Sequence, residues 1–157
     1  MSRKHHYKAL VTWTGNRGEG TTGYTSYDRN YTVQIDGKPD LKGSADTAFR
    51  GDASKYNPED LFLISLSSCH MLWYLHLCAD AGIVVSDYKD NPAGTMTEDP
   101  NGGHFTSVVL HPEVIITDAS RIDEANELHR EAHKQCFIAN SCNFPVTHEA
   151  NCSAVKP

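Results

Sequence analysis

Cysteine is the residue type with the most chemistry to offer in this chain. Five are present: Cys69, Cys78, Cys136, Cys142 and Cys152. A thiolate is a nucleophile and a metal ligand, whereas a thiol buried in apolar surroundings is inert. Cys69 lies in NPEDLFLISLSSCHMLWYLHLCADAG, residues 57–82. If this run is helical, Phe62, Leu66, Cys69, Trp73 and His76 fall on one stripe at steps of four and three. Cys69 is then either a small packed thiol or a nucleophile in an aromatic pocket. The second role needs a cation near the sulfur, and Arg17 and Arg50 are the candidates. Cys136 shares an apolar stripe with Ala125, Leu128, Ala132 and Ala139 on a second predicted helix. A disulfide between Cys69 and Cys136 requires Cα atoms within about 7 Å, so both helices must pack on one core.

A second chemistry competes for the same residues. His133, Cys136, Cys142, His148 and Cys152 make the last third rich in metal-ligating types. Structural zinc usually shows paired C-x2–4-C or H-x3–5-H spacings. Only His133-x2-Cys136 and His148-x3-Cys152 come near that pattern, so zinc stands behind thiol chemistry. Phosphate-binding signatures are absent: there is no G-x-x-x-x-G-K-[ST], and RGEG neither follows a strand nor opens a helix. Ser67 and Ser68 lack a G-x-S-x-G setting and are expected to bond back within the helix. The tripeptide RGD at 50–52 and the pair His5-His6 are too short to carry meaning.

The elements around these residues are legible from period and punctuation. YKALVTW and NYTVQID alternate as strands. Between them TGNRGEGTTG, residues 14–23, is a Gly-rich loop able to present Arg17. Asn57 caps the central helix, Pro58 suits its first turn, and Asp60 stands where a capping-box acid reaches back. Gly82 is the expected stop. GTMTED and HFTSVVLHPEVIIT flank PNGG as a hairpin. DASRIDEANELHREAHKQCFIAN reads as the second helix, and PVTHEANCSAV as one closing strand. This order predicts an α+β fold rather than a parallel doubly wound sheet. It is read as a single domain over 1–157: a β-rich part at 1–56, the central helix at 57–82, then hairpin, helix and last strand at 83–157.

Composition narrows the partners. The chain has 157 residues and a formal net charge of −6, with no Lys/Arg block, which argues against nucleic-acid binding. The N-terminus MSRKHHYKAL lacks a signal-peptide core, so a cytoplasmic location with reduced thiols is expected. Residues 61–78 hold 13 apolar residues, yet serines and histidines interrupt the run and acids flank it. A buried helix is therefore expected rather than a membrane span. One small sheet covers only one face of such a helix, so a homodimer is expected to cover the rest.

The pattern resembles the OsmC/Ohr family of thiol-dependent hydroperoxide reductases. NPEDLFLISLSSCH resembles the family's N-P-E…A-x-C signature, and EAHKQCFIAN its A-H-x-x-C-P-x-S signature. The resemblance covers nearly the whole chain. It implies an intertwined homodimer with sites at the subunit interface, and no cofactor. Cys69 would be the peroxidatic thiolate and Cys136 the resolving cysteine. Glu59 would match the acid of N-P-E, and Arg17 the arginine of the Gly-rich loop. The substrate implied is an organic hydroperoxide, and the reductant an external dithiol, lipoyl-type in the Ohr branch. Phe137 departs from the family's proline, Arg50 competes with Arg17, and Cys142 competes for resolution. The rival function is a non-catalytic dimer of the same fold binding a small hydrophobic molecule.

Overall fold

A computed structural model of the chain describes residues 3–155. It divides into two compact units, one ending at Leu61 and the other beginning at Phe62. The fold is α+β, as the element order predicted.

The first unit is built on β1 (Leu10–Trp13), β2 (Tyr31–Gln34) and β3 (Leu41–Gly43), an antiparallel sheet in that order. Strand β3 was not anticipated; it is only three residues long and follows the DGKPD turn. Every residue of β1 is exposed, including Leu10, Val11 and Trp13. A short 3-10 turn, Thr47–Phe49, is capped by Asp46, whose side chain accepts from the Ala48 amide. It ends at Arg50, a non-glycine residue held at φ 64°. Gly51 follows because nothing larger fits: a Cβ there would stand 1.5 Å from the Ala45 carbonyl oxygen.

Helix α1 runs Pro58–Asp80. Its start is the predicted capping box: Asn57 Oδ1 accepts from the Asp60 amide at 2.7 Å, and the Asn57 amide donates to Asp60 Oδ2 at 3.2 Å. Its end is the predicted glycine stop. Gly82 takes φ 70° and the Ile83 amide reaches back to the Cys78 carbonyl, the Schellman pattern. The fully buried seam is Leu66, His70, Tyr74 and Cys78, strict steps of four. Sequence periodicity had favoured Phe62, Leu66, Cys69, Trp73 and His76. Because the run is apolar nearly all round, its pattern does not select a face, and packing against the strands of the second unit decides. Cys69 therefore lies half-buried on the flank of the seam.

The second unit adds two three-stranded sheets. Strands β4 (Val85–Asp90), β7 (Pro112–Ile116) and β9 (Asn151–Ala154) form one; β5 (Ala93–Asp99), β6 (Gly102–Leu110) and β8 (Val146–His148) form the other. The expected closing strand is thus two strands, interrupted at Glu149 and Ala150 and shared between sheets. Both pair in parallel, β8 with β6 and β9 with β7. One core packs Leu66 with Val108, Leu110 and Val146. The other packs Tyr74, Cys78 and Ile83 with Val114, Ile116, Ala125, Ala132 and Cys152.

Helix α2 spans Ile122–Gln135, shorter than predicted at both ends. Asp118 opens a 3-10 turn ahead of it, accepting from the Ser120 amide at 2.9 Å. At the other end Cys136 is the cap residue, with extended backbone at ψ 106°. Cys136 therefore leaves the helical stripe on which the periodicity had placed it. Ala125, His129 and Ala132 are the buried residues of α2.

Candidate thiol site

Two elements bring Cys69 and Cys136 together. The middle of α1 supplies Cys69, and the end of α2 supplies Cys136 just where the chain turns off the helix. The two side chains are near enough that the Cys69 sulfur affects the ionisation of Cys136. No disulfide links any of the five cysteines. Cys136 is buried, with 1% of its surface exposed. Its sulfur accepts from the Ala139 amide at 3.5 Å, in the turn that follows α2. Burial pushes its thiol up to about 11; the Ala139 bond pulls the other way and the Cys69 sulfur adds to the rise. Cys136 therefore holds its proton, and Cys69 is the more open sulfur of the two.

Aromatic residues flank both cysteines along the chain and pack on one another. Trp73 meets Phe137 edge to face at 5.4 Å, and Phe137 itself is exposed. Phe62 packs on Phe105 and Phe144 at 5.0 and 5.9 Å. A cavity of about 560 Å³ opens beside this cluster, lined by Phe62, Ser65, Ile138, Ser141, Cys142, Asn143 and Phe144. Ser65 is one helical turn before Cys69 and Ile138 two residues after Cys136. Cys142 is half-buried on this wall, donating to the Ile138 carbonyl at 3.3 Å.

The other predicted site residues lie in the first unit. The Arg17 guanidinium donates to the carbonyls of Thr25 and Ser26, and its Nε lies 3.9 Å from Asp28. Glu59 makes no ion pair among the described residues, and its Oε2 is buried without a hydrogen-bond partner. Arg17 and Glu59 are thus not paired with each other within one chain. Arg50 is exposed at the end of its 3-10 turn.

Of the residues considered for zinc, His133 and His148 have rings 5.9 Å apart, but the three cysteines are dispersed. Cys152 packs against Tyr74 and Val114, Cys142 lies on the cavity wall, and Cys136 faces Cys69. Among the described residues no three His, Cys, Asp or Glu side chains are arranged to hold a metal ion. What the sequence reading missed is a set of histidines. His70 Nε2 and His129 Nδ1 are 3.0 Å apart, both rings fully buried, with His148 beside both. The four-residue spacing of His129 and His133 on α2 was the available signal. His70 had counted only as an interruption of the apolar run.

Comparison with known proteins bears on what this arrangement is. A family described as OsmC-like protein matches residues 51–151, a segment holding both Cys69 and Cys136. The chain belongs to the OsmC-like family. An OsmC-like protein of Vibrio cholerae, described as of unknown function, has a similar structure with TM-score 0.85 and 32% identity. That match covers 94% of this chain and all of the other. Organic hydroperoxide resistance proteins share the OsmC-like fold at greater distance. The one from Legionella pneumophila has TM-score 0.67 and 22% identity, covering 96% of this chain and 99% of its own. The one from Elizabethkingia anophelis has TM-score 0.68 and 22% identity, covering 98% and 100%. Comparison with curated proteins gave no match.

Proposed function

We propose that this OsmC-like protein is a thiol-dependent peroxidase that reduces organic hydroperoxides to alcohols. The observation that carries the reading is the proximity of a half-buried thiol, Cys69, to a buried protonated one, Cys136. Cys69 as thiolate attacks one peroxide oxygen; the O–O bond breaks, the alkoxide leaves and takes a proton, and Cys69 becomes a sulfenic acid. The Cys136 sulfur then attacks the Cys69 sulfur. A disulfide forms, and the sulfenic hydroxyl leaves as water with the Cys136 proton. An external dithiol, of the lipoyl type or another, reduces this disulfide by exchange and is itself oxidised. The cytoplasm is the compartment that supplies such a reductant. Apolar side chains around the cavity, Phe62, Ile138 and Phe144, favour a substrate with an organic tail.

Arg17 is the guanidinium assigned to the Cys69 thiolate, with Glu59 to orient it. The support is the buried, unpartnered Oε2 of Glu59, a carboxylate oxygen that gains a good deal from a guanidinium. A homodimer belongs to the same reading. Its support is the apolar surface left open on β1 (Leu10, Val11) and α1 (Ile64, Leu72). Sedimentation analysis checks the dimer; a monomer at micromolar concentration contradicts it.

The decisive experiment is stoichiometric cumene hydroperoxide followed by peptide mass spectrometry. A Cys69–Cys136 disulfide is expected. If both thiols are untouched, the protein is not a peroxidase, and the cavity beside Phe62 instead supports a binding protein for a small hydrophobic molecule. Arg17→Ala is expected to abolish turnover while Arg50→Ala retains it; the reverse result transfers the role to Arg50.

A further inference from the structure

Trp73 and Phe137 join the two elements that carry the candidate thiols. Trp73 stands on α1 one helical turn after Cys69, and Phe137 directly follows Cys136. Their rings meet edge to face, with centroids 5.4 Å apart and planes at 88°. Phe137 is 65% exposed, so it is not a core residue, whereas Cys136 beside it is 1% exposed. Trp73 has support of its own: it packs against the core that holds Tyr74 and Cys78, and meets the His76 ring at 5.7 Å. Trp73 is thus the fixed partner, and Phe137 is the ring brought to it.

The turn after Cys136 is shaped by its own bonds. The Asn140 amide donates to the Cys136 carbonyl at 3.0 Å, and the Ala139 amide to the Cys136 sulfur at 3.5 Å. Ser141 Oγ donates to the Phe137 carbonyl at 2.8 Å, and Asn140 Nδ2 to the Lys134 carbonyl at 3.0 Å. These bonds set the shape of the turn, and none of them reaches α1. Two side-chain ties do. Ile138 and Ala139 pack against the core that holds Leu66, three residues before Cys69. Phe137 meets Trp73, four residues after it. The two ties bracket Cys69 along the helix. The local backbone shows what Phe137 replaces. Cys136 has φ −67° and ψ 106°, the extended region that a residue before proline prefers. A proline at 137 would stiffen the turn through its fixed φ. Phenylalanine lacks that constraint and offers a ring instead.

We propose that Phe137 is a positioning residue for disulfide formation: its ring, seated on Trp73, holds the Cys136 turn against the middle of α1 and keeps Cys136 within reach of Cys69. The proposal rests on the reading of Cys69 and Cys136 as a working thiol pair. It assigns Phe137 to the second step, in which the Cys136 sulfur attacks the Cys69 sulfenic sulfur and water leaves. It assigns it no part in the first, the attack of Cys69 on peroxide. Holding two reacting groups together acts as a raised local concentration, so loss of the ring lowers the yield of the disulfide and leaves Cys69 itself unaltered.

The test has one arm that does not need peroxide. The reduced full chain is equilibrated with mixtures of oxidised and reduced glutathione. The disulfide forms as oxidised glutathione is reduced to two thiols, which take the protons of Cys69 and Cys136. Differential alkylation and peptide mass spectrometry give the equilibrium constant for the Cys69–Cys136 bond. Phe137→Ala removes a mostly exposed side chain and should fold; Phe137→Tyr keeps the ring. The constant is expected to fall about 2- to 12-fold in Phe137→Ala, the range an aromatic pair of this geometry contributes, and to return in Phe137→Tyr. In the second arm, cumene hydroperoxide consumes the Cys69 thiol at the parental rate in Phe137→Ala. More Cys69 sulfenic acid is then trapped by dimedone, and more proceeds to sulfinic acid. An unchanged constant in Phe137→Ala, no recovery in Phe137→Tyr, a slower first step, or no Cys69–Cys136 bond in the parent overturns the proposal. A parent inert to peroxide whose constant still falls with Phe137→Ala sinks the peroxidase reading and supports the positioning role.

Discussion

Cys136 gives the sharpest quantitative expectation. With its thiol pushed up from 9.0 to about 11, its thiolate share at pH 8 is about one in a thousand, against about one in ten for an unshifted thiol. Alkylating reagents attack the thiolate. Ionisation alone therefore slows iodoacetamide labelling of Cys136 by about a hundredfold, and burial slows it further. The reference is internal: Cys136 in the same chain unfolded in urea. Timed quenching and peptide mass spectrometry give both rates at pH 8, and the native rate is expected to be at least about a hundredfold lower. Burial is the leading cause, so Cys69→Ala should leave Cys136 slow. Native labelling within a few-fold of the unfolded rate would refute the argument that burial keeps Cys136 protonated. Recovery of the unfolded rate in Cys69→Ala would instead make the Cys69 sulfur the main cause. The distinction matters because a protonated Cys136 cannot compete with Cys69 for peroxide. The order of attack is then set before substrate arrives.

Three further outcomes are expected. Leu66→Ala removes a fully buried side chain packed on Val108, Leu110 and Val146 and should cost about 2–5 kcal/mol in urea unfolding; a loss below about 1 kcal/mol would mean the core collapses around it. Gly51→Ala drives a Cβ to 1.5 Å from the Ala45 carbonyl oxygen and should cost about 1–3 kcal/mol or more; an unchanged unfolding midpoint would contradict that packing. Burial also raises Cys78, Cys152 and Tyr88 in the folded chain. These groups hold their protons more tightly folded than unfolded, so stability is full below about pH 9 and falls as pH rises through the raised values. Thermal melts between pH 8 and 11 should show the midpoint dropping, and a flat profile would refute this.

Local chemistry made much of this structure legible in advance. Asn57 and Asp60 could be read as a cap because their bonds are made within one turn. Gly82 could be read as a stop because only its φ is at issue. The hairpin around PNGG, the α+β order and the family signatures are likewise local. Three things were not local. The buried face of α1 is chosen by its neighbours, since the helix is apolar on nearly every side. The end of α2 at Cys136 is set by the turn through Ala139, which pulls the chain out of a helical pattern that continues in the sequence. The split of 145–155 into β8 and β9 depends on two separate sheets, which alternation along one segment cannot reveal. Of the site, Cys69 and Cys136 were legible from their signatures. The His70–His129 contact, made across 59 positions, was not.

The parallel pairing of the last two strands sets an order of events for a chain leaving the ribosome. β8 lies on β6 and β9 on β7 with the same 38-residue offset. Glu149 ties the corner, its amide donating to the Leu110 carbonyl at 2.8 Å. Long-range parallel pairings form late, because loop closure must precede the contacts that reward it. α2 and Cys136 lie inside that loop, so nothing clamps them from the far side until β8 and β9 have been made. Until β8 and β9 have paired, the segment that carries Cys136 is held from one side only. A chain stopped before Val146 would keep both cysteines and lack that closure.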